Sequence, residues 1–282
     1  MRGAIVLVLV WPHAALAAAT ADPTENASAG ANHSHPTVDS ATDPVPANPV
    51  SLSASLALLS RGLWRGLTLG TPAVLETSVD VGYDAATLGI VSSAFVGAHV
   101  RPGGQMAGFD MNLSYDIGVA PFVFTPALNV FSYPGAGQTT EVSLETTVDL
   151  GTLGSSAAEG QGFGDLSLHT QEALDFMSNL GGWYAEGGLG WSKELGWHLA
   201  LDVDLSVSCY SGSFSRFYVD DSITGARVGA AVLGSGLTYP ATDWLSLTLQ
   251  GSASTLLDAE LRRAAGSQAQ LAAGGVAVGV SY

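Results

Sequence analysis

The chain has 282 residues, of which 12% are charged, whereas soluble proteins carry about 25% charged residues. Its formal net charge of −16 excludes nucleic acid as a partner, because binding to phosphates requires a basic surface. Its one lysine, Lys193, is atypical of a soluble surface of this size, and its one cysteine, Cys209, excludes a disulfide within the chain.

The first 50 residues precede the folded part of the chain. Arg2, an apolar run over residues 4–11 and small residues over 15–19 together predict a signal peptide over residues 1–19. The apolar run is shorter than the roughly 20 residues that a membrane-spanning helix needs. Residues 20–50 have no periodic apolar pattern and predict a flexible extension, in which His33 and His35 are too few ligands for a metal site. We expect no metal and no other cofactor.

Residues 51–282 alternate between apolar and polar side chains, which predicts β-strands. The alternation is clearest over residues 109–119, 141–150, 197–209 and 276–282. Weaker alternation predicts strands at 52–65, 73–83, 88–98, 122–133, 164–174, 183–191, 223–237 and 243–254. This gives about twelve strands. Residues 151–163 fit no clear pattern, which leaves ten or fourteen strands open.

Three features predict an all-β fold, a closed antiparallel up-and-down transmembrane β-barrel over residues 51–282. The clearest strands are long enough to cross a membrane at a tilt, which takes about 9–11 residues. Short and long connections alternate, as in outer-membrane barrels, although residues 151–163 break the alternation. The polar faces are small and acidic, while aromatic residues such as Trp183, Trp191 and Trp244 lie near strand ends, where they suit the lipid interface. The alternative is a secreted soluble β-sandwich, whose apolar faces would pack inside.

Two stretches resemble known outer-membrane barrels. The C-terminal run GGVAVGVSY resembles the terminal strand of such barrels, which closes on an aromatic residue, here Tyr282. The segment SRGLWRGLTLGTPAVLETSVDVGY is similar to the N-terminal motif of the TorF family, whose transport role has not been demonstrated. The matching positions are Trp64, Arg65, Gly66, Pro72, Ala73 and Tyr83.

The likeness to the TorF family continues in patches to the C-terminus. Tyr133-Pro134-Gly135, followed by Glu141-Val142, resembles a turn and strand of the family, and residues 181–206 resemble its later hairpin. The N-terminal extension and a first strand without tyrosines depart from the family pattern. The resemblance implies a barrel in the bacterial outer membrane, in contact with lipid and lipopolysaccharide and recognised by the barrel-insertion machinery through its last strand. It implies neither a solute nor an oligomeric state.

If the polar faces line a lumen, acidic side chains outnumber basic ones there. An acidic lining favours cations and repels anions, so we expect a porin that passes small solutes with a bias toward cations. The alternative is a structural or adhesion barrel whose lumen is filled by side chains. The candidate lining residues are Arg61, Arg65, Glu76, Asp80, Asp110, Asp116, Glu141, Glu145, Asp149, Glu186, Asp202, Asp204 and Arg227, with His169 and His198 as further bases.

Arg65 has two interpretations within the TorF-like motif. It forms a charged constriction opposite inward-facing acids, or it pins the first hairpin by hydrogen bonds to neighbouring carbonyl groups. In the outer loop, Asp220 and Asp221 either touch a divalent cation that bridges lipopolysaccharide or are solvated acids.

No motif predicts an enzyme. The sequence has no G-x-S-x-G elbow and no H-E-x-x-H motif. Ser167 with His169, and His198 with Ser206, are in phase on their strands, but serine is frequent enough here for such pairs to arise by chance.

Overall fold

The computed structural model describes residues 50–68, 73–96, 105–133, 137–150 and 164–282. The predicted signal peptide, the extension up to residue 49 and the 151–163 stretch lie outside the described residues, as do Pro72, Pro134 and Gly135.

The described chain forms a closed ring of twelve antiparallel strands. Each ring strand pairs with the next, and β1 pairs with β15 to close the ring. The predicted closed antiparallel barrel of about twelve strands is therefore confirmed. The ring strands are β1 (Val50–Leu59), β4 (Ala73–Tyr83), β5 (Ala86–Val96), β6 (Gln105–Tyr115), β8 (Phe122–Tyr133), β9 (Gly137–Asp149), β10 (Asp165–Asp175), β11 (Trp183–Glu194), β12 (Ala200–Tyr210), β13 (Arg227–Pro240), β14 (Leu245–Leu256) and β15 (Gln270–Ser281).

The described structure also contains three short strands, two short α-helices and two 3₁₀ helices, Gly196–His198 and Gly266–Gln268. β7 (Ile117–Val119) follows β6 after a break at Asp116 and pairs with β8. β2 (Leu63–Trp64) and β3 (Leu67–Thr68) pair with each other in a separate two-stranded sheet. Helix α1 (Gly212–Tyr218) and helix α2 (Ala259–Ala265) lie in the connections that follow β12 and β14. Neither helix, nor any other helix of the described residues, has the length and apolar character needed to cross a membrane.

The apolar face of the ring points outward. In β9, Val142 and Leu144 are 52% and 41% exposed, whereas the alternating Glu141, Ser143 and Glu145 are all buried. The same alternation recurs in β4 and β12. A soluble β-sandwich requires the opposite arrangement, so this alternative is excluded. An apolar exterior around a fully paired sheet is stable in lipid, where no backbone group can be left without a partner.

The two ends of the barrel differ. One end, called here the short-turn end, carries Val50, Tyr282 and the brief connections at 84–85, 195–199 and 241–244. The other end, called here the long-loop end, carries the connections at 60–72, 211–226 and 257–269. In outer-membrane barrels the short turns face the periplasm and the long loops face outward.

The structure corrects two strand assignments. The first strand ends at Leu59 and not at residue 65, because the chain beyond it turns into the barrel. β12 begins at Ala200 and not at residue 197, because Trp197 and His198 have left-handed backbones with φ of 65° and 62°. His198 is therefore an exposed residue of a turn and does not belong to the lumen, contrary to its prediction as a lumen base.

Replacing Leu144 with arginine tests the outward direction of the apolar face. Leu144 lies near the middle of β9 and faces outward, so Leu144→Arg should lower the free energy of unfolding by about 2–4 kcal/mol, the cost of a cation at the bilayer midplane. Urea titration of the barrel in phospholipid vesicles measures this. The control Asp243→Arg, in an exposed turn, should change it by less than about 0.5 kcal/mol. Equal effects of the two substitutions would contradict the assigned orientation.

Candidate functional site: the barrel interior and its inward hairpin

Residues 60–68 form a hairpin that folds into the long-loop end of the barrel; we call it the inward hairpin. Its strands pair Leu63 with Thr68 and Trp64 with Leu67, which leaves Arg65 and Gly66 as a two-residue turn. Both turn residues have positive φ, 49° and 76°. Two-residue turns of this kind are common in hairpins because they match the twist of the strands. They favour glycine because φ is positive at both positions. The Arg-Gly pair of the TorF-like motif is thus the tip of this hairpin.

Arg65 forms a buried, two-pronged ion pair with Glu141 of β9. Its Nη1 lies 2.9 Å from Oε1 and its Nη2 lies 2.5 Å from Oε2 of the carboxylate. The two side chains are only 4% and 2% exposed. This parallel pairing fits the planar shapes of both groups and is among the strongest hydrogen-bonded arrangements in proteins. The sequence predicts either an opposing acid or neighbouring carbonyl groups as the partners of the Arg65 side chain. In the structure its partner is the acid Glu141.

Aromatic rings surround the same guanidinium. The Cζ atom of Arg65 lies 4.3 Å from the ring centroid of Tyr184, 5.7 Å from that of Phe214 and 5.8 Å from that of Phe131. A guanidinium within about 6 Å of a ring face is attracted by the ring quadrupole. The aromatic residues come from β11, α1 and β8, so three separate elements enclose one cation. Sequence reasoning did not find these aromatic residues, because they are spread over more than 80 positions of the chain.

The backbone of the inward hairpin is also anchored to the barrel wall. The Tyr210 hydroxyl donates to the Arg65 carbonyl over 2.6 Å, and the Ser254 hydroxyl donates to the Gly66 carbonyl over 3.1 Å. Leu67 packs against an apolar cluster inside the barrel. The cluster comprises Ala173, Tyr184, Tyr210, Phe214, Ile223, Ala230, Val232, Leu256 and Leu261. The interior at the long-loop end is therefore partly filled.

The interior nearer the short-turn end is polar and acidic. Asp80 accepts a hydrogen bond from Ser53 over 3.3 Å, and Asp116 accepts one from Thr125 over 2.8 Å. Asp202 is buried near the start of β12.

Four of the interior carboxylates belong to one electrostatic group. Glu145 is close enough to Asp116, Glu186 and Asp204 to be repelled by each of them. His169 lies 3.5 Å from the carboxylate of Asp204, and Glu186 accepts a hydrogen bond from the Tyr184 hydroxyl. Repelling carboxylates in a confined space attract cations from solution.

The remaining candidate residues occupy different surroundings. Arg227, at the start of β13, lies 2.5 Å from Glu260 and 3.9 Å from Asp258, beside α2 and away from the interior acids. Arg61 is half-buried just beyond β1, and Asp149 is exposed at the end of β9. Glu76 is buried in β4, and Asp110 is half-buried in β6, both in phase with the inward face.

The described residues contain no group of three or more side chains placed to hold a metal ion. Asp220 accepts a hydrogen bond from the Ser222 amide over 2.8 Å and is fully exposed. Hydrogen bonds from the side chain and backbone of Ser222 lower the pKa of Asp220 below its ordinary value. The Asp220 carboxylate therefore closes the turn in which it lies.

No known protein family and no curated protein matches the sequence. Among solved structures, the KdgM porin in complex with disordered oligogalacturonate has a TM-score of 0.46 and 9% identity, over 82% of this chain and 99% of that chain. The NanC porin has a TM-score of 0.47 and 12% identity, over 82% and 98% of the two chains. Salmonella typhi OmpF has a TM-score of 0.38 and 8% identity, over 83% and 97%. At these scores and identities, none of the likenesses supports a conclusion about function.

Replacing Glu141 with glutamine tests the buried ion pair. Glu141→Gln leaves a buried guanidinium without its counter-charge and should lower the free energy of unfolding by about 3–5 kcal/mol. Urea titration in vesicles measures the change. The control Glu260→Gln removes the charge of a partner of Arg227, and the Glu260 side chain is 52% exposed. This substitution should lower the free energy of unfolding by less than about 1 kcal/mol. Similar small losses in both variants would show that the pair contributes little.

Replacing Gly66 with alanine tests the close docking of the hairpin. A Cβ atom on Gly66 would lie 2.3 Å from the Cβ of Ala230. Gly181 has nearly the same φ, 78° against 76°, but has no atom within 4 Å of such a Cβ. Both substitutions carry the left-handed strain of about 1–2 kcal/mol, and only Gly66→Ala adds about 1–3 kcal/mol of overpacking. Equal losses of stability in the two variants would contradict the docking.

Proposed function

We propose that this chain is a porin of the bacterial outer membrane that passes small solutes by diffusion, with a bias toward cations. The single observation that carries the proposal is a closed barrel with an apolar exterior and an interior lined by small polar and acidic side chains. In a barrel filled by side chains, carboxylates close enough to repel one another on the inner wall would be destabilising. A buried carboxylate that keeps its charge costs free energy unless it is paired, hydrogen-bonded or reached by water or ions.

The outer membrane is the location that best fits the two ends of the barrel. Short turns at 84–85, 195–199 and 241–244 lie at one end and long connections at 60–72, 211–226 and 257–269 lie at the other, as in bacterial outer-membrane barrels. The connection between β9 and β10, at the short-turn end, is a long exception to this pattern. The exposed Tyr282 directly follows the last strand, β15, and we propose it as the feature that the insertion machinery recognises. The outward apolar residues would contact lipid, and the long loops would face lipopolysaccharide. Membership of the TorF family stays a proposal that rests on the motif at residues 60–83.

The cation bias is supported by the imbalance of interior charges. The acids Glu145, Asp116, Glu186 and Asp204 repel one another, and the ionic partner of Arg65 is Glu141. The proposed lining residues are Arg65, Glu76, Asp80, Asp110, Asp116, Glu141, Glu145, Asp149, Glu186, Asp202 and Asp204, with Arg61 and Arg227 nearer the long-loop mouth.

A second candidate function is a structural or adhesion barrel without an open path. It is favoured by one observation, the apolar cluster and inward hairpin that fill part of the long-loop end. Liposome swelling separates the two, because only a conducting barrel lets sugars or ions equilibrate. Swelling in small sugars supports the porin, and its absence supports the filled barrel.

Neutralising three interior acids tests the cation bias. In the triple variant Glu145→Gln, Asp202→Asn, Asp204→Asn, the reversal potential across a potassium chloride gradient should move from the cation side toward zero, because a less negative lumen concentrates cations less. Planar bilayer recordings of single channels measure this potential.

The matched control removes the same charge outside the lumen. The triple variant Asp84→Asn, Asp221→Asn, Asp243→Asn neutralises exposed acids of the turns and loops and should shift the reversal potential less than the interior variant. A wild-type channel that prefers chloride, or equal shifts in the two variants, would contradict an acidic lumen as the source of selectivity.

A further inference from the structure

The barrel wall forms a cation site that the inward hairpin fills with its own arginine. Glu141 comes from β9, Phe131 from β8, Tyr184 from β11 and Phe214 from α1. The hairpin supplies the Arg65 side chain, which lies between these groups and is almost fully buried. Glu141, Phe131 and Tyr184 therefore belong to the strands of the wall, and Phe214 belongs to α1. The Arg65 side chain that lies between them belongs to a separate, short segment.

We propose that this wall site binds planar guanidinium groups carried by solutes in the lumen, and that Arg65 is its resident occupant in the present structure. The proposal rests on the porin function and names a class of solute for it, namely cations that bear a guanidinium group. A solute of this class would compete with Arg65 for Glu141 and the aromatic faces, and the inward hairpin would move aside when the solute occupies the site.

The shape of the site favours guanidinium over other cations. Glu141 meets Arg65 through both oxygens at 2.9 and 2.5 Å, which matches the two parallel N–H groups of a guanidinium. An ammonium group cannot form this parallel pair in the plane of the carboxylate. A hard metal ion needs about six oxygen ligands. Around Arg65, the rings of Tyr184, Phe214 and Phe131 occupy positions where a metal ion would need oxygen atoms.

The inward hairpin is a short element of the barrel. Each of its strands has two residues. Its tip is anchored by hydrogen bonds from Tyr210 and Ser254 to two backbone carbonyls, and by the fit of Gly66 against Ala230. A buried carboxylate left without a cation is strongly unfavourable. Departure of Arg65 therefore leaves a site with high affinity for a cation of the same shape.

The interior acids place such a cation near the site. Glu186 lies on β11 two residues from Tyr184 and accepts the hydrogen bond of its hydroxyl. Glu186 in turn repels Glu145, which also repels Asp116 and Asp204 nearer the short-turn end. These carboxylates raise the local concentration of cations along the lumen between the short-turn end and the ion pair.

Chemical rescue of Arg65→Ala tests the proposal without depending on conduction. The full barrel is unfolded thermally in detergent with guanidinium chloride at low millimolar concentration, or with methylammonium chloride or sodium chloride at the same concentration. Arg65→Ala should unfold several degrees below wild type, and guanidinium alone should recover part of this loss through binding to the folded state. The double variant Arg65→Ala, Glu141→Gln should show no recovery. Equal shifts in the single and double variants, or with all three salts, would overturn the proposal.

Bilayer recordings provide a second measurement, and Arg65→Lys provides a second variant if Arg65→Ala does not fold. Arg65→Lys keeps the charge but lacks the planar fork, so guanidinium should permeate it more readily, relative to potassium, than it permeates wild type. An unchanged permeability ratio would overturn the proposal. A barrel that shows the thermal rescue but conducts no ion refutes the porin function and retains the site. A barrel that conducts without any rescue retains the porin function and refutes the site.

Discussion

The hydrogen-bonding demand of the backbone in a lipid environment governs this structure. Hydrocarbon offers no partner to a free N–H or C=O group, so every strand needs a neighbour on both sides. The pairing of β1 with β15 meets this demand by closing the ring. Once the ring is closed, a period of two sorts the side chains, and Leu144 faces outward because Glu145 faces inward. The exterior band and the polar interior are two consequences of one constraint.

A closed ring has an interior that must be filled by side chains or by water. In this barrel, one part of the interior is packed with apolar side chains and another part is lined by polar ones. At the long-loop end, Phe214 of α1 belongs to one apolar cluster with Tyr210 and Leu256, and Leu67 of the inward hairpin packs against this cluster. Toward the short-turn end, small hydroxyl and carboxylate side chains line the wall. The molecule thus combines a core-like region with an acidic chamber inside the same ring. The inward hairpin lies where these two regions meet.

The electrostatics of the interior follow the same division. Arg65 is enclosed with Glu141 where water is excluded, and its charge is matched by a carboxylate and by aromatic faces. Asp116, Glu186 and Asp204 lie close enough to Glu145 to repel it, and water or mobile cations would weaken this repulsion. Arg65 is the one buried arginine among the described residues, and it lies nearer the long-loop end than the acids around Glu145. This separation links the proposed cation bias to the proposed site for guanidinium groups.

The sequence by itself determined the class of fold, the outward and inward faces and the positions of most strands. A period of two is local, and a run such as Glu141 to Asp149 records which face is polar without knowledge of its neighbours. The alternating pattern did not predict the break at Trp197 and His198, because this break depends on positive φ angles, which an apolar–polar pattern does not indicate. The pattern also did not predict the end of the first strand, because the apolar residues Leu63 and Trp64 lie only a few positions beyond Leu59 while the chain turns inward.

The interior arrangement was decided only by the tertiary structure. Arg65 and Glu141 are 76 positions apart, and Tyr184 and Phe214 lie on two further elements. Their meeting depends on the stagger of the whole ring and on the depth to which the inward hairpin enters it. The sequence contained the Arg-Gly turn and the inward phase of Glu141, but neither is unusual alone. Contacts across a barrel join residues that share no local pattern, so the pairing of this charge became visible only when the ring was closed.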